Sequence, residues 1–146
     1  MPDHRISVEL RQRVTERARY CCEYCRSQAK YATQAYSVEH ILARARGGAT
    51  TIDNLALACQ GCNNHKYDKT EARDPASDQF APLYHPRHDR WDEHFTWSAD
   101  FALLIGLTPT GRATVDALSL NRDGVVNLRR LLYAHGEHPP KAPTSG

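Results

Sequence analysis

Hydrophobic residues recur every three to four positions near the start of the chain, after Ser7. This spacing places them on one face of a helix, so the pattern predicts an amphipathic helix from residue 7 to residue 19 with Ser7 as its N-cap. The outer face of this helix carries four arginines, for which a solvated surface is favoured over a phosphate-binding role: Arg11, Arg13, Arg17 and Arg19.

Two short apolar patterns follow, separated by a glycine turn. Residues 36–41 alternate polar with β-branched or aromatic side chains, which is typical of a short strand. Gly47-Gly48 marks a turn, and the apolar run 55–58 predicts a second extended piece. The polar stretch 59–69 then predicts a partly exposed helix or turn.

The second half of the chain begins with polar residues and ends in helical patterns. Residues 71–79 have the composition of a polar linker. Residues 94–97 and 102–107 predict a β-hairpin. Thr108 followed by proline predicts a helix start, and a final helix is expected from residue 123 to about residue 134.

The length of 146 residues suits one domain, or one domain with an appendage. We expect a core at residues 1–70, an extension packed on it at residues 71–136 and a disordered tail at residues 137–146. The longest uncharged apolar run, residues 101–107, is far below the roughly 20 residues of a membrane span. We therefore expect a cytoplasmic protein with no membrane partner.

Composition and charge add little about partners. Apolar residues make up 40% of the chain, so something besides apolar burial should help to stabilise a small core. The formal net charge of +2 is too small to indicate nucleic-acid binding by itself. Residues 71–100 are acidic, whereas the first half of the chain is mildly basic.

Five cysteines include two CxxC pairs, which is the spacing of a tetrahedral zinc site. Four of them form these pairs and are the expected ligands of a structural Zn²⁺: Cys22, Cys25, Cys59 and Cys62. A redox pair would need one CxxC and would leave the second unexplained. Cys21 remains an alternative ligand to Cys22, because a spacing of three residues to Cys25 also occurs in zinc sites.

Carboxylate, imidazole and amide groups lie within the loop that this zinc site would close. Glu39 and His40 lie in the first predicted strand, Asn54 follows 14 residues after His40, and Asn63 follows after 9 more. This spacing resembles the HNH endonuclease family, in its zinc-bearing branch. The resemblance covers roughly residues 17–69 and rests on these motifs: Cys22-Glu-Tyr-Cys25, Val38-Glu39-His40-Ile41, Gly47-Gly48, Asp53-Asn54-Leu55 and Cys59-Gln-Gly-Cys62-Asn63-Asn64-His65-Lys66.

The resemblance implies a role for each matched residue. His40 is expected to be the general base that activates water, because its pKa lies near the working pH. Glu39 and Asn63 are expected to hold one divalent ion, Mg²⁺ or another such as Mn²⁺ or Ni²⁺. Asn54 is expected to bridge backbone groups and so orient His40. The alternative is a plain Asx turn after Asp53, and the two are compatible.

Asn63 departs from the histidine that is commonest at this position of the family. His65 is a possible alternative ligand, and its imidazole would shift the preference toward Zn²⁺, Ni²⁺ or Mn²⁺. Three basic residues are candidates for phosphate contacts, with solvated surface charge as the equal alternative: Arg44, Arg46 and Lys66.

The resulting expectation is an α+β fold. It combines a ββα-metal (HNH, His-Me finger) core, stapled by the four-cysteine zinc site, with an N-terminal helix and a C-terminal hairpin-plus-helices extension. The expected function is metal-dependent hydrolysis of DNA, with RNA as a second possible substrate. A symmetric homodimer would be needed for a clean double-strand cut. The alternative function is a non-catalytic zinc-ribbon module that binds nucleic acid.

Overall fold

The computed structural model describes residues 6–141 of the chain. Within them, helices and small sheets alternate, which confirms the mixed α+β class. The helices are α1 (Val8–Arg17), α2 (Gln60–Lys66), α3 (Trp91–His94), α4 (Pro109–Ala117) and α5 (Asp123–Ala134). The strands are β1 (Ser37–His40), β2 (Leu55–Ala58), β3 (Glu71–Arg73), β4 (Phe80–Pro82), β5 (Phe95–Trp97) and β6 (Leu104–Gly106).

The predicted N-terminal helix is confirmed as α1. The Ser7 hydroxyl accepts the backbone N–H of Leu10 at 3.0 Å, which satisfies one of the free donors at the helix start. Val14, on the inner face of α1, is fully buried in an apolar cluster with Val38 and Leu57. The helix is thereby fixed against the strands by its apolar face.

β1 and β2 form an antiparallel pair in which His40 lies opposite Leu55. All four residues of β2 are buried, and the outer edge of β2 is covered by polar groups from preceding segments. Glu23 pairs with Leu57 through both its backbone and its carboxylate, and Arg17 Nη2 donates to the Leu55 carbonyl at 2.6 Å. These contacts satisfy edge groups that would otherwise be buried without partners.

The expected polar linker at residues 71–79 is wrong, because β3 and β4 pair across this segment as a hairpin. Its turn is built on Asp74, which is fully buried and accepts hydrogen bonds from Ser77 and from the Ala76 backbone. The carboxylate of Asp74 also receives a two-pronged hydrogen bond from Arg112 at 2.9 Å. Polar composition therefore conceals a strand here, since the stabilising partner comes from α4.

The short helix α3 was not predicted, and it includes His94, which was expected in the hairpin. The other elements of the extension match their predictions. β5 and β6 pair as the expected hairpin, and α5 spans the expected residues. The Thr108 hydroxyl accepts the N–H of Gly111 at 3.0 Å and caps α4, which begins at Pro109. No helix within residues 6–141 has both the length and the apolar character needed to cross a membrane.

The start of the expected disordered tail packs on the fold. His138 is 8% exposed, its Nε2 lies 2.9 Å from the Phe101 carbonyl, and its ring meets Trp97 edge-on. These two contacts hold the His138 ring in place. The proline-rich composition of the tail does not reveal them. The first five residues of the expected core, 1–5, and the last five of the expected tail, 142–146, lie outside the described residues.

Candidate functional site

Four cysteine sulfurs lie close together between the turn at residues 22–25 and the N-terminus of α2. The Sγ atoms of Cys22, Cys25, Cys59 and Cys62 all lie within 4.8 Å of one another, and Cys25 and Cys59 are 3.7 Å apart. A tetrahedral zinc ion with Zn–S bonds of about 2.3 Å would separate its sulfurs by about 3.8 Å. The cluster therefore fits Zn²⁺, as the two CxxC pairs predict.

Each cysteine pair is held by a local backbone turn. In the first, the N–H of Cys22 donates to Ser27 and the N–H of Arg26 donates back to Cys22, with Arg26 in the left-handed region at φ 64°. In the second, Cys59 is the N-cap of α2, and its sulfur accepts the Cys62 N–H at 3.5 Å. Backbone donors that point at sulfur stabilise the thiolate form that binds zinc.

Cys21 lies outside the cluster. Its Sγ faces the Arg19 carbonyl at 3.5 Å, and burial raises the pKa of its thiol. Of the two adjacent cysteines, Cys22 is thus the one that the structure brings to the metal position.

His40 is the last residue of β1 and is half-buried. Its Nε2 lies 2.8 Å from the hydroxyl of Thr50, a contact that the sequence analysis missed because Thr50 belongs to no motif. A hydrogen bond at one ring nitrogen determines which nitrogen carries the proton. Thr50 therefore helps to orient the His40 ring.

Asn54 ties together the two ends of the loop between β1 and β2. Its Oδ1 accepts the Leu42 N–H at 2.8 Å, and its Nδ2 donates to the carbonyls of Leu42 at 3.0 Å and Ala49 at 2.9 Å. Its own carbonyl accepts the N–H of Ile41, the residue after His40. The bridging geometry predicted for this amide is present, and its catalytic role stays a prediction.

Glu39 points away from His40 and into the core. Its carboxylate, 5% exposed, receives hydrogen bonds from the Tyr24 hydroxyl and from Lys66 Nζ, the latter at 3.1 Å. Burial raises the pKa of Glu39, while Lys66 and Tyr24 oppose the rise. Both carboxylate oxygens are thus engaged, so a divalent ion could bind Glu39 only by sharing it with Lys66 and Tyr24.

Lys66 is not the phosphate contact that the sequence analysis expects. It is 2% exposed, and its Nζ donates to Glu39 and to the Ile41 carbonyl at 2.7 Å, so substrate phosphate has no access to it. Arg44 and Arg46 are both exposed in the loop after β1. Arg46 lies 3.8 Å from Asp68, while the solvated position of Arg44 remains compatible with phosphate contact.

Asn63 and His65 occupy different sides of α2. Residues three apart share a helix face, so half-buried Asn63 lies on the face from which Lys66 reaches Glu39. His65 is exposed and two residues from Asn63, about 200° around the helix. Among residues 6–141, the four cysteines form the one cluster of three or more histidine, cysteine or acidic side chains suited to a metal.

One residue near the zinc site gave no sequence signal. Arg122, which precedes α5, directs its guanidinium at Cys59 and Cys62. A single arginine between two helices has no local pattern that predicts such a contact.

The comparisons with known proteins agree with this geometry. Residues 22–69 match the family model described as HNH endonuclease. No curated protein and no solved structure matches the chain significantly. The matched segment contains both cysteine pairs, His40, Asn54 and Asn63, so residues 22–69 are similar to the HNH endonuclease family.

Proposed function

We propose that this chain is a metal-dependent HNH endonuclease that hydrolyses phosphodiester bonds in DNA. The observation that carries the proposal is the position of His40 at the end of β1, beside a loop that the Asn54 amide closes with three hydrogen bonds. A zinc-binding module alone has no need of an imidazole at that position or of an amide that stiffens the loop beside it. The family match adds nucleic acid as the substrate class.

His40 is the proposed general base. The imidazole, which contacts the Thr50 hydroxyl through Nε2, takes a proton from the attacking water. The water oxygen attacks phosphorus, and the bond from phosphorus to the 3′ oxygen breaks. The leaving 3′ oxygen takes up a proton from solvent water, so the products are a 5′-phosphate and a 3′-hydroxyl end.

Asn54 is a positioning residue in this proposal. It fixes Leu42 and Ile41, the two residues that directly follow His40, so the ring cannot swing with the loop. The cost of a misplaced base is large, since a shift of about 1 Å can lower a rate about 100-fold.

Asn63 and Glu39 supply hard oxygen donors of the kind that Mg²⁺ or Mn²⁺ prefers. Such an ion, when bound, supplies electrostatic stabilisation of the leaving 3′ oxygen. Asn63 contributes a neutral amide oxygen. Glu39 contributes the carboxylate lone pairs that do not accept hydrogen bonds from Tyr24 and Lys66. Weak binding of the divalent ion is therefore expected, with activity that depends on millimolar metal.

Plasmid nicking tests the proposal. Wild-type protein, His40→Ala and the matched surface variant His135→Ala are compared with Mg²⁺, Mn²⁺ and Ni²⁺, with zinc content measured in each preparation. We expect His40→Ala to lose about 100-fold or more in rate at unchanged zinc content, and His135→Ala to cut like wild type.

Absence of cutting by wild type on supercoiled, branched and single-stranded DNA, and on RNA, would overturn the proposal. With zinc present, that result would favour the zinc-ribbon binding module instead. Linear product formed without a nicked intermediate would point to a symmetric dimer, since one site cuts one strand.

A further inference from the structure

The C-terminal extension contacts the zinc site through one side chain. Arg122 Nη2 lies 3.2 Å from Cys59 Sγ, and Nη1 lies 3.6 Å from Cys62 Sγ. Nη1 also donates to the Ser119 carbonyl at 3.1 Å, which anchors the guanidinium between α4 and α5. Both sulfurs of the second CxxC pair thus receive an N–H from the same guanidinium.

Gly61 leaves the space that this contact needs. A methyl group added at Gly61 would lie 2.4–2.7 Å from the guanidinium atoms of Arg122, closer than real contacts allow. The glycine between Cys59 and Cys62 therefore lets the guanidinium lie flat against the first turn of α2.

Charge favours the same arrangement. Four thiolates and one Zn²⁺ leave two net negative charges in a buried cluster, and such charge is costly without a partner. A second guanidinium from the extension, that of Arg129, is buried near Cys25 and donates to the Leu120 carbonyl at 2.7 Å.

We propose that the extension is the outer shell of the zinc site and that Arg122 is its functional contact. By donating to Cys59 and Cys62, Arg122 withdraws negative charge from these two sulfurs. The contact thereby slows the release of zinc to chelators. It also slows the reaction of the two sulfurs with electrophiles. Cys22 and Cys25 receive no hydrogen bond from Arg122 and gain none of this local protection.

Two variants test the contact in different ways. Arg122→Gln removes the charge, whereas Gly61→Ala keeps every ligand and the arginine but displaces the guanidinium. Alanine is a better helix former than glycine, so Gly61→Ala is expected to fold. Arg130→Gln, at an exposed position of α5, is the matched control.

The experiment uses the full-length, zinc-loaded protein. Zinc release to a colorimetric chelator gives one rate, and time-resolved iodoacetamide labelling read by peptide mass spectrometry gives the reactivity of each cysteine. We expect both variants to release zinc about 10-fold faster, the usual effect of losing an outer-shell partner. Labelling of Cys59 and Cys62 should rise before that of Cys22 and Cys25.

The proposal is overturned if both folded variants release zinc at the wild-type rate. It is equally overturned if all four cysteines gain reactivity in parallel, because that pattern reports general loosening. If circular dichroism shows that Arg122→Gln is unfolded, the zinc-release rate and the cysteine labelling of Gly61→Ala test the proposal instead. Neither readout depends on nuclease activity, so the result is independent of the proposed function.

Discussion

Replacing Lys66 by methionine removes a buried charge from residues 22–69, the segment that matches the HNH family model. Methionine keeps most of the aliphatic stem, so the change isolates the ammonium group. In the native protein this ammonium donates to Glu39 at 3.1 Å and to the Ile41 carbonyl at 2.7 Å, and both charged side chains are at most 5% exposed. The variant leaves the Glu39 carboxylate buried with one hydrogen-bond donor, the Tyr24 hydroxyl.

The expected loss in the free energy of unfolding is about 3–5 kcal/mol, the range for removing one partner of a buried ion pair. For a chain of this length, about 3 °C per kcal/mol converts the loss to roughly 9–15 °C in melting temperature.

The loss of stability in Lys66→Met should depend on pH. Burial raises the pKa of Glu39 and Lys66 opposes the rise, so the variant raises it further. Stability then falls as pH increases from about 4.3, the unfolded value, to the raised folded pKa.

Urea denaturation of the zinc-loaded proteins, followed by tryptophan fluorescence, measures these free energies at about pH 5 and about pH 8. Lys69→Met is the matched control, because Lys69 is exposed and donates to one helix carbonyl. It should change stability by less than about 0.5 kcal/mol. Glu39→Gln combined with Lys66→Met should recover part of the loss, since no buried charge then remains.

A loss below about 1 kcal/mol for Lys66→Met would refute the reasoning, because surface ion pairs contribute that much. A double variant no more stable than Lys66→Met would also refute it. That result would show that the loss came from packing and not from an unpaired carboxylate.

Three further predictions follow from single contacts. Asn54→Asp loses two donated hydrogen bonds at about 1 kcal/mol each, so we expect slower plasmid nicking and a lower urea midpoint at unchanged zinc content. Gly48→Ala places a methyl group 1.7 Å from a backbone carbonyl of the same loop and should cost about 1–3 kcal/mol in urea denaturation. Gly124→Ala, with nothing within 4 Å, should instead be neutral or stabilising. Arg112 lowers the pKa of Asp74, so the ion pair stabilises the fold above about pH 4 and is lost below it; in thermal melts, the deficit of Asp74→Asn should be large near neutral pH and shrink near pH 3.

Structural elements that depend on residues close together in the sequence were predictable. Ser7 and Thr108 cap the helices that their sequences indicate, and the two CxxC pairs converge as their spacing requires. The β3–β4 hairpin was missed because its turn depends on a hydrogen bond from Arg112 to Asp74, which no local pattern records.

The sequence by itself determined the four-cysteine cluster, the similarity of residues 22–69 to HNH endonucleases and the positions of most helices and strands. These properties are encoded by spacing and capping over a few residues, where the chain's own geometry sets the contacts. Only the tertiary structure decided that Lys66 pairs with Glu39, 27 residues away, and that Arg122 reaches Cys59, 63 residues away. A charged side chain in a sequence is equally suited to solvent or to a buried partner, and packing alone brings the partner within reach.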